Sequence, residues 1–163
     1  MANLIRLCLI GAGRAGKVHA NSLINYVPAG SLVSVVDPVT EALNNTANEF
    51  GIEARFESLE EALDWDEFDA VVITTPTFTH KSLAVMAAEG GKHVFLEKPM
   101  ALTLAECDEI IEAAERNGVL LQLGFMRRFS PEFVAAFERI QAGEIGQPMV
   151  IKSLTHGPGL PPP

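Results

Sequence analysis

Short apolar runs alternate with amphipathic stretches along most of this chain. Residues 4–10 form an apolar run broken only by Arg6, and a helical pattern covers 17–26. The alternation repeats: a buried strand at 31–36, a helix at 40–50 stopped by Gly51, and a short strand at 54–56. A brief acidic helix then runs from Ser58 to Leu63, with Ser58 and Glu61 at the spacing of a capping box. Residues 69–74 form a fourth strand. The helix at 80–89 places Leu83, Met86 and Ala87 on one face and stops at Gly90-Gly91; residues 93–96 form a fifth strand. A helix at 104–116 opens on a second capping-box pair, Thr103 and Glu106, and closes at Asn117-Gly118 before a sixth strand at 119–123. Strand and helix alternating at this spacing predict an α/β protein, a doubly wound parallel sheet with right-handed crossovers and helices on both faces. Ligands of such sheets bind at the carboxyl ends of the strands.

Beyond residue 124 the pattern changes. Residues 131–142 read as a helix with Phe133, Val134 and Phe137 on its apolar side, and 148–154 alternate as a strand would. A Pro-rich tail follows. A strand needs neighbours, and none remain downstream. The expected organisation is a nucleotide-binding domain at 1–124 and, at 125–163, only the opening helix and strand of a second α/β domain, truncated relative to a complete substrate and oligomerisation domain.

The first strand empties into Gly11-Ala12-Gly13-Arg14-Ala15-Gly16. In such a turn Gly11 permits the bend, Gly13 lets backbone approach a pyrophosphate, and Gly16 lets the helix pack on the strand. The N–H groups at the start of the helix suit an anion. A glycine turn alone also fits a ligand-free strand-to-helix bend. The second strand adds to it by ending in Asp37, about 20 residues beyond the last glycine, where a carboxylate accepts hydrogen bonds from an adenosine ribose. That charge would repel a 2′-phosphate, and no Lys or Arg lies between Asp37 and Ala54, so NAD is expected over NADP. Asp37 before Pro38 is also what an ordinary turn would contain.

Two further strand ends carry polar residues. Thr74, Thr75, Pro76 and Thr77 follow the fourth strand, with His80 one turn into the next helix; they either line a cofactor or make a capped Pro turn, and local sequence does not separate the two. Glu97-Lys98-Pro99 follows the fifth strand. A lysine held there by proline could polarise a substrate hydroxyl or relay its proton, or it could simply begin a solvated loop.

Taken in order, the GxGRxG turn, TTPTFTH, EKP and the later GFMRRFSP resemble the Gfo/Idh/MocA oxidoreductase family, most closely its inositol dehydrogenase branch. The likeness spans nearly the whole chain. It implies a Rossmann nucleotide domain followed by a second domain, hydride passing between NAD(P) and a sugar or polyol, and a homo-oligomer. It implies cofactor contacts by Gly11, Gly13, Arg14, Ala15, Gly16 and Asp37, with Thr74, Thr75, Pro76 and His80 nearby. Glu97 would meet the nicotinamide ribose region. Lys98 would be the catalytic lysine, touching cofactor and substrate, on a cis Lys98–Pro99 bond. Met126 and Arg127 would face the nicotinamide and substrate, and His156 would reach the substrate pocket. The family's Asp-xxx-His pair has no counterpart here: no Asp follows Asp108. Little or no turnover is therefore expected of this chain alone.

Composition narrows the alternatives. The 163 residues are 48% hydrophobic, enough for one core, and 12 Lys and Arg against 21 acids give a net charge of −9, which opposes nucleic acid and anionic membranes. No apolar stretch reaches the ~20 residues of a membrane span, and the N-terminus is unlike a secretory signal, so a cytoplasmic location is the expectation. Cys8 and Cys107 make no CxxC pair and the four histidines no metal-ligand pattern; no metal is expected. Besides the dehydrogenase, a non-catalytic NAD(H)-binding module or half-protein accounts for the turn and Asp37. A methyltransferase explains neither EKP nor GFMRRF.

Overall fold

In the computed structural model, which describes residues 4–154, six parallel strands form one sheet. They are β1 (Ile5–Ile10), β2 (Gly30–Val36), β3 (Ala54–Phe56), β4 (Ala70–Ile73), β5 (His93–Leu96) and β6 (Leu121–Leu123), in the order β3-β2-β1-β4-β5-β6. The helices are α1 (Arg14–Tyr26), α2 (Thr40–Phe50), α3 (Leu59–Trp65), α4 (His80–Glu89), α5 (Leu104–Asn117) and α6 (Pro131–Gln141). The strand order reverses between β1 and β4, so the chain leaves a crevice there at the carboxyl edge.

Side-chain alternation divides the core into two layers. Leu9, Val35 and Val72 point to the face covered by α1 and α2, meeting Ala20, Leu43 and Ala47. Their sequence neighbours Cys8, Ile10, Val71 and Ile73 point to the other face, where Leu59, Ala62, Ala84, Ala87 and Ile110 of α3, α4 and α5 pack on them. Cys8 is fully buried and desolvation pushes its thiol up to about 12, the state of a small hydrophobe rather than a nucleophile. Both capping signals operate: Ser58 accepts from the Glu61 amide, and Thr103 and Glu106 close a reciprocal box.

Most boundaries fall within a residue or two of the sequence expectation, and three differences stand out. The helix α1 begins at Arg14, not Lys17, because Gly13 is its N-cap and the last glycine of the turn is already helical. The strand β6 is reduced to its three residues that pair with β5. The expected strand at 148–154 is absent: these residues have no regular structure, since period-two alternation without a bonded neighbour leaves every ladder group to water. The described chain divides into two compact units at Gly124/Phe125. The second holds a 3-10 turn at Met126–Phe129 and α6, started by Pro131 behind Ser130.

At the edge of the sheet opposite the crevice, Asp69 joins the starts of β4 and β1. Its Oδ2 accepts from the Arg6 amide (2.7 Å) and Nε (3.3 Å), and its Oδ1 from Nη2 (2.8 Å). These bonds to Arg6 hold the carboxyl down to about 2, against an ordinary 3.8. The side chain is 40% exposed, so screening limits the pair to about 1 kcal/mol. A depressed carboxyl contributes its stability above the unfolded value and loses it as pH falls through the folded one. Asp69→Asn is therefore expected to destabilise by about 1 kcal/mol at neutral pH, with the gap to wild type closing between pH 3.8 and about 2 in urea melts.

Candidate functional site

The glycine turn is held by contacts that no side chain would permit. A Cβ on Gly16 would lie 1.9 Å from the Gly11 carbonyl oxygen, so α1 can sit this close to β1 only with glycine there. Gly11 has φ +100°, and a Cβ would meet Thr74 and Thr75 atoms at 3.0–3.1 Å. Gly13 differs: a Cβ there would meet nothing within 4 Å. Its side of the turn is open, and no side chain caps α1, whose first N–H groups stay available to an anion. Arg14 and Ala15 are the exposed first residues of that helix.

Asp37 stands at the end of β2 and already serves the backbone. Its Oδ2 accepts from the Ala12 amide (2.7 Å) and its Oδ1 from the Val39 amide (2.8 Å). Each oxygen keeps a further lone pair for a ligand hydroxyl. Across the strand reversal, the Thr74 hydroxyl donates toward the carbonyl oxygens of Ile10 and Gly11, both at 3.0 Å, clamping the turn to β4. The Thr79 hydroxyl lies 2.7 Å from that of Thr75 and 2.8 Å from the Pro76 carbonyl. Gly11, Gly13, Asp37, Thr74, Thr75 and Pro76 line one crevice of about 580 Å³, with Val39, Phe78 and Leu83 adding apolar walls. That volume suits a small-molecule ligand. No Lys or Arg lines it, whereas Glu57 and Glu60 do. Nearby Arg55 is committed to Asn44, Asn48 and the Ile52 carbonyl, and Lys17 to Glu49.

One strand further along, Glu97 ends β5. Its Oε2 accepts from the Lys98 amide (2.9 Å) and its Oε1 bonds His19 Nε2 on α1 (2.8 Å). The Lys98–Pro99 peptide is cis. The Lys98 side chain is exposed, and among the described residues its ammonium has no hydrogen bond or ion pair. His80, expected near the cofactor, lies beneath the loops after β4 and β5. It is buried, with Nδ1 2.9 Å from the Pro99 carbonyl and Nε2 2.9 Å from the Thr75 carbonyl. A carbonyl only accepts, so a neutral ring donates to one of the two, and the imidazole sits between the loops that carry them. Met126 and Arg127 belong to the second unit, where Met126 is exposed and the Arg127 guanidinium lies 5.1 Å from the centre of the Phe133 ring. His156 falls outside the described residues. His19 was missed in the sequence; its one signal is that it follows Gly16 by about a helical turn, on the side of α1 that meets the sheet.

The model of an oxidoreductase family with an NAD-binding Rossmann fold matches residues 5–125. The chain belongs to the Gfo/Idh/MocA family. It is 43% identical over 162 residues to a scyllo-inositol 2-dehydrogenase (NAD(+)) of Bacillus subtilis, covering 99% of this chain and 47% of that protein. It is 34% identical over 158 residues to a myo-inositol 2-dehydrogenase of Thermotoga maritima, covering 97% and 47%. A crystal structure of scyllo-inositol dehydrogenase from Lactobacillus casei, with bound NAD(H) and scyllo-inositol, superposes with a TM-score of 0.84 at 30% identity, covering 88% of this chain and 43% of that one. The chain thus spans about half the length of the relatives it matches. Among the described residues no helix is long and apolar enough to cross a membrane.

Gly16→Ala is expected to abolish the turn, because backbone must move to relieve a 1.9 Å contact. A loss of about 3 kcal/mol or more in chemical denaturation, against a near-neutral Gly13→Ala, would establish the difference.

Proposed function

We propose that this chain binds NAD across the carboxyl edge of its sheet and supplies the dinucleotide site and the lysine of a dehydrogenase acting on a polyol or sugar hydroxyl carbon. One observation carries this: a single crevice joins the acid at the end of β2, the open glycine turn and the Thr74 clamp at the strand reversal. The residues fit the cofactor. Asp37 would take the adenosine ribose, the Gly13 side of the turn and the start of α1 the pyrophosphate, and Thr75 and Glu97 the half beyond. When bound, the nicotinamide supplies the hydride acceptor. Lys98 is the catalytic residue in this reading: as the ammonium its side chain would hold and polarise the substrate hydroxyl, and as the neutral amine it would take the proton that leaves it. The inositol dehydrogenase names of the relatives support an inositol-like substrate. NAD is favoured over NADP because a 2′-phosphate would meet Asp37, Glu57 and Glu60 with no lysine or arginine lining the crevice.

Titration of the purified chain with NADH, followed by nicotinamide fluorescence, is expected to saturate below millimolar cofactor, with NADPH much weaker and polyol turnover negligible. Asp37→Asn should weaken NADH about 10- to 100-fold, the loss of charge-assisted bonds, and narrow its advantage over NADPH. No binding at millimolar NADH would overturn the proposal.

Association with a second copy is the corresponding reading of the second unit, where Phe133, Phe137, Ile140, Val150 and Ile151 are exposed apolar residues. Sedimentation velocity should show a concentration-dependent rise in mass; a monomer throughout would refute it.

A further inference from the structure

The carboxylate of Glu97 is fixed on three sides, and only one of the three is visible in the EKP stretch itself. Lys98 lends its own amide to Oε2. Gly124 leaves a bare backbone beside it: a Cβ there would stand 3.2 Å from Oε1 and from the carboxyl carbon. The third side is His19, from α1, whose Nε2 lies 2.8 Å from Oε1 while its ring packs edge-on against Phe95, 5.5 Å between centroids. An ionised carboxylate only accepts, so the imidazole must carry its proton on Nε2. Both side chains are largely buried, at 24% and 22% exposure, so water competes weakly for this bond.

The direction of the sheet says what this arrangement faces. With adenosine on the β2 side of the glycine turn, the rest of a dinucleotide must extend the other way, over the ends of β4 and β5. We infer that His19 is a positioning residue, which holds the Glu97 carboxylate as the resting surface for the nicotinamide half of the cofactor. This rests on the NAD reading above and goes beyond it, for it assigns a role in binding one half of the ligand to a residue on the helix that binds the phosphates. A purely structural brace between α1 and β5 would instead affect both halves, because α1 also carries the phosphate site.

The test compares two ligands in the 163-residue chain: NADH, and ADP-ribose, which lacks the nicotinamide. His19→Ala is expected to weaken NADH about tenfold, the size of one charge-assisted hydrogen bond, while ADP-ribose affinity stays within a factor of two. His19→Gln, whose amide places a donor where Nε2 was, is expected to recover most of the loss. Long-range proton–nitrogen spectra of the ligand-free chain should show the His19 ring protonated at Nε2. Parallel losses of both ligands in His19→Ala, equal losses in the Ala and Gln variants, or a ring bearing hydrogen only on Nδ1 would each overturn the inference. ADP-ribose binding without NADH binding in the wild type would sink it while leaving the nucleotide site standing; binding of neither would sink the NAD reading as well.

Discussion

The seat of α1 against β1 is the constraint on which the rest of this edge depends. Gly16 lies so near the Gly11 carbonyl that even a methyl group is excluded, and Thr74 then ties that same carbonyl to β4. Three elements distant in sequence are thereby brought together at the strand reversal. If α1 were lifted by the width of a side chain, its amides would leave the crevice, and His19 would leave Glu97. The contact is therefore not one packing detail among many. It sets the height of α1 above the sheet and, through His19, the reach of that helix to β5.

The two acids at the ends of β2 and β5 follow a common plan. Asp37 and Glu97 each end a strand, and each gives one oxygen to the next few backbone amides of its own loop and the other to a group carried by the glycine turn or its helix. Such a carboxylate is oriented before any ligand arrives and needs no rotamer freezing on binding. For Asp37 the bonds also compensate a negative charge in a crevice that no Lys or Arg lines. His80 does the same for the loops, fixing the carbonyls of Thr75 and Pro99 relative to one another.

Much of this was legible in the sequence because it is local. Periodicity located every strand of the sheet, and the glycine turn, Asp37 and EKP each announce themselves within a few residues. The capping pairs at Ser58 and Thr103 were likewise readable, since both partners lie on one turn. What escaped is non-local. His19 and Glu97 are 78 residues apart and meet only because β4 and β5 fall in sequence beside β1 on the reversed side of the sheet. The place of His80 escaped for the same reason: nothing in TTPTFTH reveals that the Pro99 carbonyl will lie against its ring. The stretch at 148–154 failed in the opposite way. Its alternation is a real local signal, but a strand is defined by a neighbour, and none among the described residues bonds to it.

Lys98 completes the logic by contrast. The acids and hydroxyls named around it are all bonded to protein, whereas its ammonium is exposed and without a partner among the described residues, although the carboxylate of Glu97 is its immediate neighbour in sequence. That carboxylate is bonded instead to His19 and to the Lys98 amide. In the proposed dehydrogenase, a substrate hydroxyl would therefore break no internal ion pair to reach this lysine. A held Glu97 and an unpaired Lys98 thus stand side by side at the end of β5.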